Sequence, residues 1–213
     1  MNSITILGSG RVGSALATAL AEKGVADVVV GVRSPDSVRA TWSGPAVTFL
    51  DVSAAIGRSD LIVNATPGDT SLERLTALKT ELVGKTLVDI SNATTRSNDG
   101  MPGGLLYPGS SLGERLQAAL PRTAVVKTLN TMLFTVMTAP AALSSPPTVF
   151  VSGDDSAAKV QVIELLADLG WDAQRIIDLG DIETARGTEA LAVLVPSLLK
   201  TLGFIPFAIS IAR

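Results

Sequence analysis

The run Ile4-Thr5-Ile6-Leu7-Gly8-Ser9-Gly10-Arg11-Val12-Gly13 decides the fold. Its first four residues make a short apolar strand. The residues that follow repeat apolar side chains at helical spacing, Val12, Leu16, Ala19 and Leu20, and Gly24 fits the helix end. A G-x-G-x-x-G triplet therefore stands between a strand and a helix, which is the context that gives the motif its meaning. Gly8 permits the tight turn, Gly10 lets the backbone approach a pyrophosphate, and Gly13 allows close packing of helix on sheet. The helix amino end attracts the anion. A glycine-rich turn without a ligand is the plainer alternative. The strand-turn-helix context favours a bound dinucleotide at Gly8, Ser9, Gly10, Arg11, Val12 and Gly13.

Working outward, strand-like and helix-like segments alternate. Val28-Val29-Val30, Val47-Thr48-Phe49, Leu61-Ile62-Val63, Thr86-Leu87-Val88 and Ala124-Val125-Val126 read as further strands. Unbroken β-branched and aliphatic runs suit parallel strands buried on both faces. Helices are expected over residues 52–56 and from a cap at Asp69 to about Leu82. This rhythm predicts an α/β fold of the Rossmann type, a doubly wound, mostly parallel sheet with helices on both faces. The stretch from Thr94 to Ser111 is rich in Gly, Ser, Pro and Asn. It reads either as a lid or as a surface loop. After the Pro-containing segment Thr138 to Pro147 a second unit is expected: a strand at Val149-Phe150-Val151, a helix capped by Asp154 and running through Leu169, a strand from Ala173 to Ile177, and a final helix opened by Asp181 and Glu183. The division is a dinucleotide-binding domain over residues 1–145 and a small C-terminal α/β unit over residues 146–213, serving substrate binding and dimerisation.

The end of the second strand selects the cofactor. An NAD site places an acid about 20 residues beyond the glycines to hold the ribose 2′-hydroxyl. Here the segment is Gly31-Val32-Arg33-Ser34. A guanidinium and a hydroxyl can bind a 2′-phosphate that a carboxylate would repel, so Val32, Arg33 and Ser34 point to NADP(H), with Arg39 adding charge. An ordinary solvated arginine is the bland reading of Arg33. Ligands of doubly wound sheets lie beyond the carboxyl ends of the strands. That places Thr66, Pro67 and Gly68 along the cofactor, with a plain turn as the alternative. It also turns Ser91-Asn92 and Asn130-Thr131-Met132 toward the nicotinamide.

Composition removes many chemistries. The chain has 213 residues, no Cys and no His. Disulfides, thiolate and imidazole metal sites, cysteine nucleophiles and Ser-His triads are excluded. With 46% apolar and 17% charged residues the chain is not intrinsically disordered, and a net charge of −3 argues against nucleic acid as a partner. Tyr107 is followed four residues later by Ser111, so the Tyr-xxx-Lys pair of short-chain dehydrogenases is missing. Asp172, Asp178, Asp181 and Glu183 read as caps and solvated faces rather than metal ligands. Glu183, Arg186 and Glu189 read as a surface salt-bridge ladder. No export signal is visible, which suggests a cytoplasmic location. Mean hydropathy is +0.41, and Ala190 to Ala212 is long enough to span a bilayer. Pro196, Lys200, Gly203 and Pro206 interrupt it, so a buried helix followed by a short extended tail is expected.

Five blocks carry a family resemblance: Ile6-Leu7-Gly8-Ser9-Gly10-Arg11-Val12-Gly13, Gly31-Val32-Arg33, Lys127-Thr128-Leu129-Asn130-Thr131, Val151-Ser152-Gly153-Asp154-Asp155, and Asp178-Leu179-Gly180-Asp181-Ile182-Glu183-Thr184-Ala185-Arg186. In this order and spacing the chain resembles the coenzyme F420-dependent NADP oxidoreductases. The resemblance implies a small two-part protein, usually a homodimer, moving a hydride between the nicotinamide and a deazaflavin. It implies that Ser9, Gly10, Arg11 and Val12 hold pyrophosphate and ribose, that Arg33 and its neighbours hold the 2′-phosphate, that residues 130–134, Phe134 included, line the nicotinamide, and that Phe207 touches the second substrate. Val32 stands where family members often carry a hydroxyl residue and Ser37 where a Lys can assist. Leu133 and Phe134 are bulkier than the Pro-Ala of deazaflavin-using members.

Hydride transfer needs no protein nucleophile, only two rings held with donor and acceptor carbons about 3–3.5 Å apart. No catalytic acid is assigned. The expected pocket is walled by Asn92, Asn130, Met132, Phe134 and Phe207. Two other functions remain open: an NADPH-dependent reductase of another small acceptor (flavin, quinone, metal chelate or imine), and a non-catalytic NADP(H) sensor. A dimer is expected to use residues 191–202.

Overall fold

Among the described residues, helices pack around one eight-stranded sheet, with a separate two-stranded hairpin beside it. The computed structural model describes residues 3–24, 26–97 and 100–212. In chain order the elements are β1 (Ser3–Leu7), α1 (Arg11–Lys23), β2 (Asp27–Val32), α2 (Pro35–Thr41), β3 (Thr48–Asp51), α3 (Val52–Ile56), β4 (Leu61–Asn64), α4 (Gly68–Ala77), β5 (Thr86–Asp89), β6 (Thr94–Arg96), β7 (Pro102–Leu105), α5 (Leu112–Ala119), β8 (Ala124–Thr128), α6 (Phe134–Thr138), β9 (Val149–Gly153), α7 (Ser156–Leu169), β10 (Ile176–Asp178), α8 (Ala185–Ala190) and α9 (Val195–Leu202). Eight strands form the sheet, in the order β10-β9-β8-β5-β4-β1-β2-β3. Every pairing is parallel except β8 with β9, where Lys127 faces Ser152 in antiparallel register. The fold is therefore α/β and mostly parallel, as the alternation of apolar runs implies.

The apolar runs split cleanly between the two faces. Ile6, Val63, Val88 and Val126 join one core cluster, with Leu16 and Leu20 of α1 and Val162 and Leu166 of α7. Their neighbours Leu7, Ile62, Leu87 and Val125 join the other, with Leu75 of α4 and Leu112 and Leu116 of α5. This is the period-two alternation of a strand covered on both sides. Among the polar residues that these strands bury, Asn64, Asp89 and Lys127 lie toward their carboxyl ends.

Several local expectations shift. The loop predicted over Thr94–Ser111 contains a two-stranded antiparallel hairpin, β6 with β7, whose Thr94 faces Leu105. Arg96 ties this hairpin to Asp69 at the start of α4, at 3.4 Å. Asp69 itself lies in the first turn of α4; the N-cap is Pro67 and the helix ends at Ala77. The N-cap of α7 is Asp155, accepting from Ala158 N, one residue later than expected. Asp154 is occupied elsewhere, accepting from Ile182 N at 2.9 Å. The segment Ala173–Arg175 is a 3-10 turn capped by Asp172, and β10 follows it. The final helix is broken into a 3-10 turn at Ile182–Thr184, then α8, a second 3-10 turn at Leu191–Leu194, and α9.

The expectation of a buried C-terminal helix is overturned. No residue of α9 is buried, and Val193, Leu194, Leu202, Phe204 and Ile205 are all exposed. The extended tail is present and is held down at three points. Leu133 N donates to Phe207 O at 3.3 Å, Thr148 N to Ile209 O at 2.8 Å, and Ser210 Oγ to Pro146 O at 2.9 Å. Among the described residues no helix is long and apolar enough to cross a membrane.

Candidate functional site

The site forms where the strand order reverses, with β2 on one side of β1 and β4 on the other. In doubly wound sheets the loops leaving the carboxyl ends of the strands diverge at such a point, and ligands bind between them. Gly8 has φ +103 and donates its N–H to Gly31 O at 3.0 Å. This left-handed conformation strains any residue with a side chain. A Cβ on Gly13 would sit 2.0 Å from Gly8 O, whereas a Cβ on Gly10 would meet nothing within 4 Å. The first glycine makes the turn, the last brings α1 against it, and the middle one leaves an open face of backbone. Ser9 lies between, its carbonyl accepting from Ser14 Oγ at 3.0 Å.

Helix α1 starts at the exposed Arg11 with no side-chain cap and no acid in its first turn. Its leading N–H groups have no intrahelical acceptor and carry the positive end of the dipole. An anion completes such an end. Val12 is half-buried against the core.

On the β2 side, Val32 is buried in the core, while Arg33 and Ser34 are exposed at the turn into α2. Among the described residues Arg33 makes no ion pair. Arg39, expected to add charge, is held instead: it donates to Asp36 Oδ1 at 2.6 Å and to Phe49 O at 3.2 Å.

On the other side the loops after β4, β5 and β8 meet. Gly68 is buried, and a Cβ there would lie 2.2 Å from Asn92 O, so its smallness serves the contact between two loops. Pro67 is exposed beside it. Asn92 Nδ2 donates to Asn130 O at 2.7 Å, and Asn130 Nδ2 returns to Asn92 Oδ1 at 2.9 Å. Thr131 Oγ1 is the one buried side-chain polar atom without a partner among the described residues. Met132 is buried. The Arg11 guanidinium lies 5.9 Å over the Phe134 ring, joining the glycine turn to the loop after β8. Phe207 is half-buried, its carbonyl bound to the Leu133 N–H. The structure thus gathers Gly8 to Gly13, Phe134, the Asn92–Asn130 pair and Phe207 along one edge, while Val32 turns inward.

A polar group that sequence reasoning missed lies under this edge. Lys127 of β8 is 1% exposed. Its ammonium lies 2.7 Å from Asp89 Oδ2 and 2.8 Å from Glu189 Oε1. Burial pushes its pKa down, but attraction to Asp89 and Glu189 outweighs that and holds it above the ordinary lysine value. Glu189 is therefore no member of a surface ladder. It is buried, and its carboxylate accepts from the N–H groups of Leu112 and Gly113 at 2.9 and 3.1 Å. Arg186 does pair with Glu183 at 2.7 Å, and also with Glu114 at 2.6 Å. A signal was available: a Lys inside the doubly buried run Val125-Val126-Lys127-Thr128 requires a buried countercharge.

An open glycine backbone, an uncapped helix start, an unpaired guanidinium twenty residues on and an orphaned buried hydroxyl together fit a phosphorylated dinucleotide. Fold and site define a Rossmann-type dinucleotide-binding protein. Comparison with known proteins narrows the class. Residues 3–93 match the family described as NADP oxidoreductase, coenzyme F420-dependent. A crystal structure of a putative F420-dependent NADP reductase from Arthrobacter sp. FB24 is 40% identical, with 99% of each chain covered and a TM-score of 0.90. The F420-dependent NADP reductase of Methanocaldococcus jannaschii is 30% identical over 152 residues, covering 70% of this chain and 66% of that protein's own length. An imine reductase from Aspergillus terreus, 22% identical with a TM-score of 0.67 over 96% of this chain and 64% of that one, shares the fold. The chain belongs to the coenzyme F420-dependent NADP oxidoreductase family.

Proposed function

We propose that the chain binds NADP(H) across the crevice between β1 and β4 and exchanges a hydride with a deazaflavin of the coenzyme F420 type. Gly10, Arg11 and Val12 would receive the pyrophosphate at the start of α1. Arg33 and Ser34 would hold the 2′-phosphate. Asn92, Asn130, Thr131, Met132 and Phe134 would line the nicotinamide end, with Thr66 and Pro67 between the two ends. When bound, the nicotinamide supplies the hydride chemistry. The chain's own residues bind, orient and exclude water, consistent with the absence of His and Cys from the sequence. The Phe207 carbonyl clamps the tail onto Leu133, which makes the tail one wall for the second ring.

The observation that carries the reading is the exposed, uncapped start of α1 at Gly10 and Arg11, with Phe134 stacked under Arg11. It joins a phosphate site to the loop that faces the reacting ring. The test is NADPH absorbance followed in the presence of coenzyme F420. Consumption of NADPH supports the reading, and no turnover at any pH overturns the deazaflavin as acceptor. The half-buried Leu133 and Phe134 favour a second reading, another small acceptor such as a flavin, quinone, metal chelate or imine, which the same assay detects by substitution of the acceptor. Two copies would pair through α9 and the 3-10 turn before it, where the apolar side chains are exposed.

A further inference from the structure

The Lys127 ammonium is a knot rather than an isolated ion pair. It has three protons and three acceptors: Asp89 Oδ2 at 2.7 Å, Glu189 Oε1 at 2.8 Å and the Ser91 carbonyl. Each partner reaches further. Asp89 Oδ1 accepts from Asn64 Nδ2 at 2.8 Å and from Ser91 Oγ at 2.8 Å. Asn64 Oδ1 accepts from Thr66 Oγ1 at 2.6 Å. Glu189 holds the first turn of α5. One buried charge thereby fixes the ends of β4, β5 and β8, the start of α5 and helix α8.

Stability alone does not explain such a group. A well-packed apolar set in place of a buried ion triad is often as stable or more so. What the triad adds is a defined position for the chain on either side of it. The carbonyl that Lys127 grips belongs to Ser91, and the next residue is Asn92, which clasps Asn130. Two residues beyond Lys127 stands Leu129, with φ 59, the one non-glycine residue of positive φ among those described. A side chain in that region costs energy and persists only when its surroundings over-determine it. The strained residue lies between the ion knot and the asparagine clasp, and both hold it.

We infer that Lys127, with Asp89 and Glu189, is a positioning residue that sets the Ser91–Asn92 and Leu129–Met132 segments against the nicotinamide end of the cofactor. Lys127 is too deeply buried to touch the reacting atoms and acts through Ser91 and Asn92. Glu189 extends the same control to the C-terminal segment, so the state of α8 is felt at the ring-binding loops. The inference rests on the NADP(H) reading above.

The test separates the two ends of the ligand. NADPH and adenosine 2′-phosphate 5′-diphosphoribose, the same molecule without its nicotinamide, are titrated into the unvaried protein and into Glu189→Gln by calorimetry. Glu189→Gln removes a charge but keeps an oxygen for α5. The expected result is about tenfold weaker NADPH binding, the scale of coupling carried through a packed network, with the fragment's affinity unchanged. Ser91→Ala is a milder perturbation that leaves all charges paired, and it should show the same split at smaller size. Equal effects on both ligands, or a lower melting temperature with both affinities kept, would overturn the inference, because a purely structural triad predicts one or the other. Binding of neither ligand by the unvaried protein would instead remove the NADP(H) reading on which the inference stands.

Discussion

Gly8 and Gly13 touch backbone to backbone across the first turn: a Cβ built on Gly13 would stand 2.0 Å from the Gly8 carbonyl oxygen and 3.5 Å from the Ala65 Cβ. The glycine spacing is thus a packing requirement as well as a ligand requirement. Gly13→Ala must push α1 off the strand or distort the turn. Overpacking of this sort costs about 1–3 kcal/mol, or about 2–12 °C in melting temperature for a chain of this size. NADPH binding should be lost with it. Gly10→Ala, where a Cβ meets nothing within 4 Å, should leave the melting temperature close to that of the unvaried protein while still weakening NADPH. A Gly13→Ala protein as stable and as tight-binding as the parent would refute the close packing.

Arg33 is the residue proposed to choose between phosphorylated and unphosphorylated cofactor. It is exposed and makes no ion pair among the described residues, so its removal leaves no stranded partner. Hydrogen bonds to charged groups contribute about 1.5–3 kcal/mol. Arg33→Ala should therefore weaken NADPH about 10- to 150-fold and leave NADH unchanged. Calorimetry of both ligands reads the difference. An equal loss for both would mean that Arg33 holds something common to the two.

What the sequence shows and what it hides follow from the range of the interactions. Apolar runs such as Val28-Val29-Val30 declare themselves because both faces of a parallel strand are covered, and no distant partner is needed to see it. The glycine turn is legible for the same reason: its geometry is local. Glu189 is misread because its spacing from Arg186 fits a helix face, while its real partner, Lys127, sits on a strand far away in the chain. The β6–β7 hairpin is hidden because Thr94-Thr95-Arg96 and Pro102-Gly103-Gly104-Leu105 lack the alternation that marks a half-buried strand. The exposure of α9 could not be read either, since an apolar helix looks alike whether it enters a core or faces another surface.

Lys127 offers a large effect on stability. Removing one partner of a buried ion pair strands the other charge, at about 3–5 kcal/mol. Lys127→Met leaves Asp89 and Glu189 facing each other without the ammonium and should lower the melting temperature by about 6–20 °C. The double variant Lys127→Met with Glu189→Gln should be more stable than Lys127→Met alone, because one stranded charge has gone. Thermal unfolding of the two variants decides it; a double variant less stable than the single would mean that the charges are not coupled.

Stability should fall at both ends of the pH scale. The Lys127 ammonium titrates above its ordinary value of 10.5 despite the opposing effect of burial, through Asp89 and Glu189. A raised pKa in the folded state means its contribution is whole below 10.5 and is lost as pH climbs through the folded value. Glu114 goes the other way. Burial pushes it up, but hydrogen bonds from Arg186, Ser111 and Ser110 hold it below its ordinary 4.5. Its contribution is present above 4.5 and disappears as pH drops through the folded value. Melting temperatures measured across the range should show a plateau between these limits. Glu114→Gln should make the acid limb shallower and leave the alkaline limb in place. The part of the acid limb carried by Asp178 should remain, since burial pushes that carboxyl up but Lys159 and the Gly180 N–H hold it below its ordinary 3.8.

The C-terminal surface makes the last prediction. Phe204 is 68% exposed and Leu194 and Leu202 are each 49% exposed, on one turn-helix-tail segment. Among the described residues nothing covers them, and a cluster of exposed apolar side chains on one segment marks an interaction site. A second copy suits it, because the same segment is present at equal concentration and a two-fold axis lets one patch cover its equivalent. The tail is already fixed at Leu133, Pro146 and Thr148, so pairing through Phe204 would reach the residues beside Phe134 without new ordering of the chain. Light scattering should return about twice 21.9 kDa for the unvaried protein. Leu194→Asp with Phe204→Asp should return the single mass with a native circular dichroism spectrum, since neither side chain belongs to the core. A single mass for the unvaried protein at micromolar concentration would leave the patch to some other partner and would detach α9 from the argument about dimers.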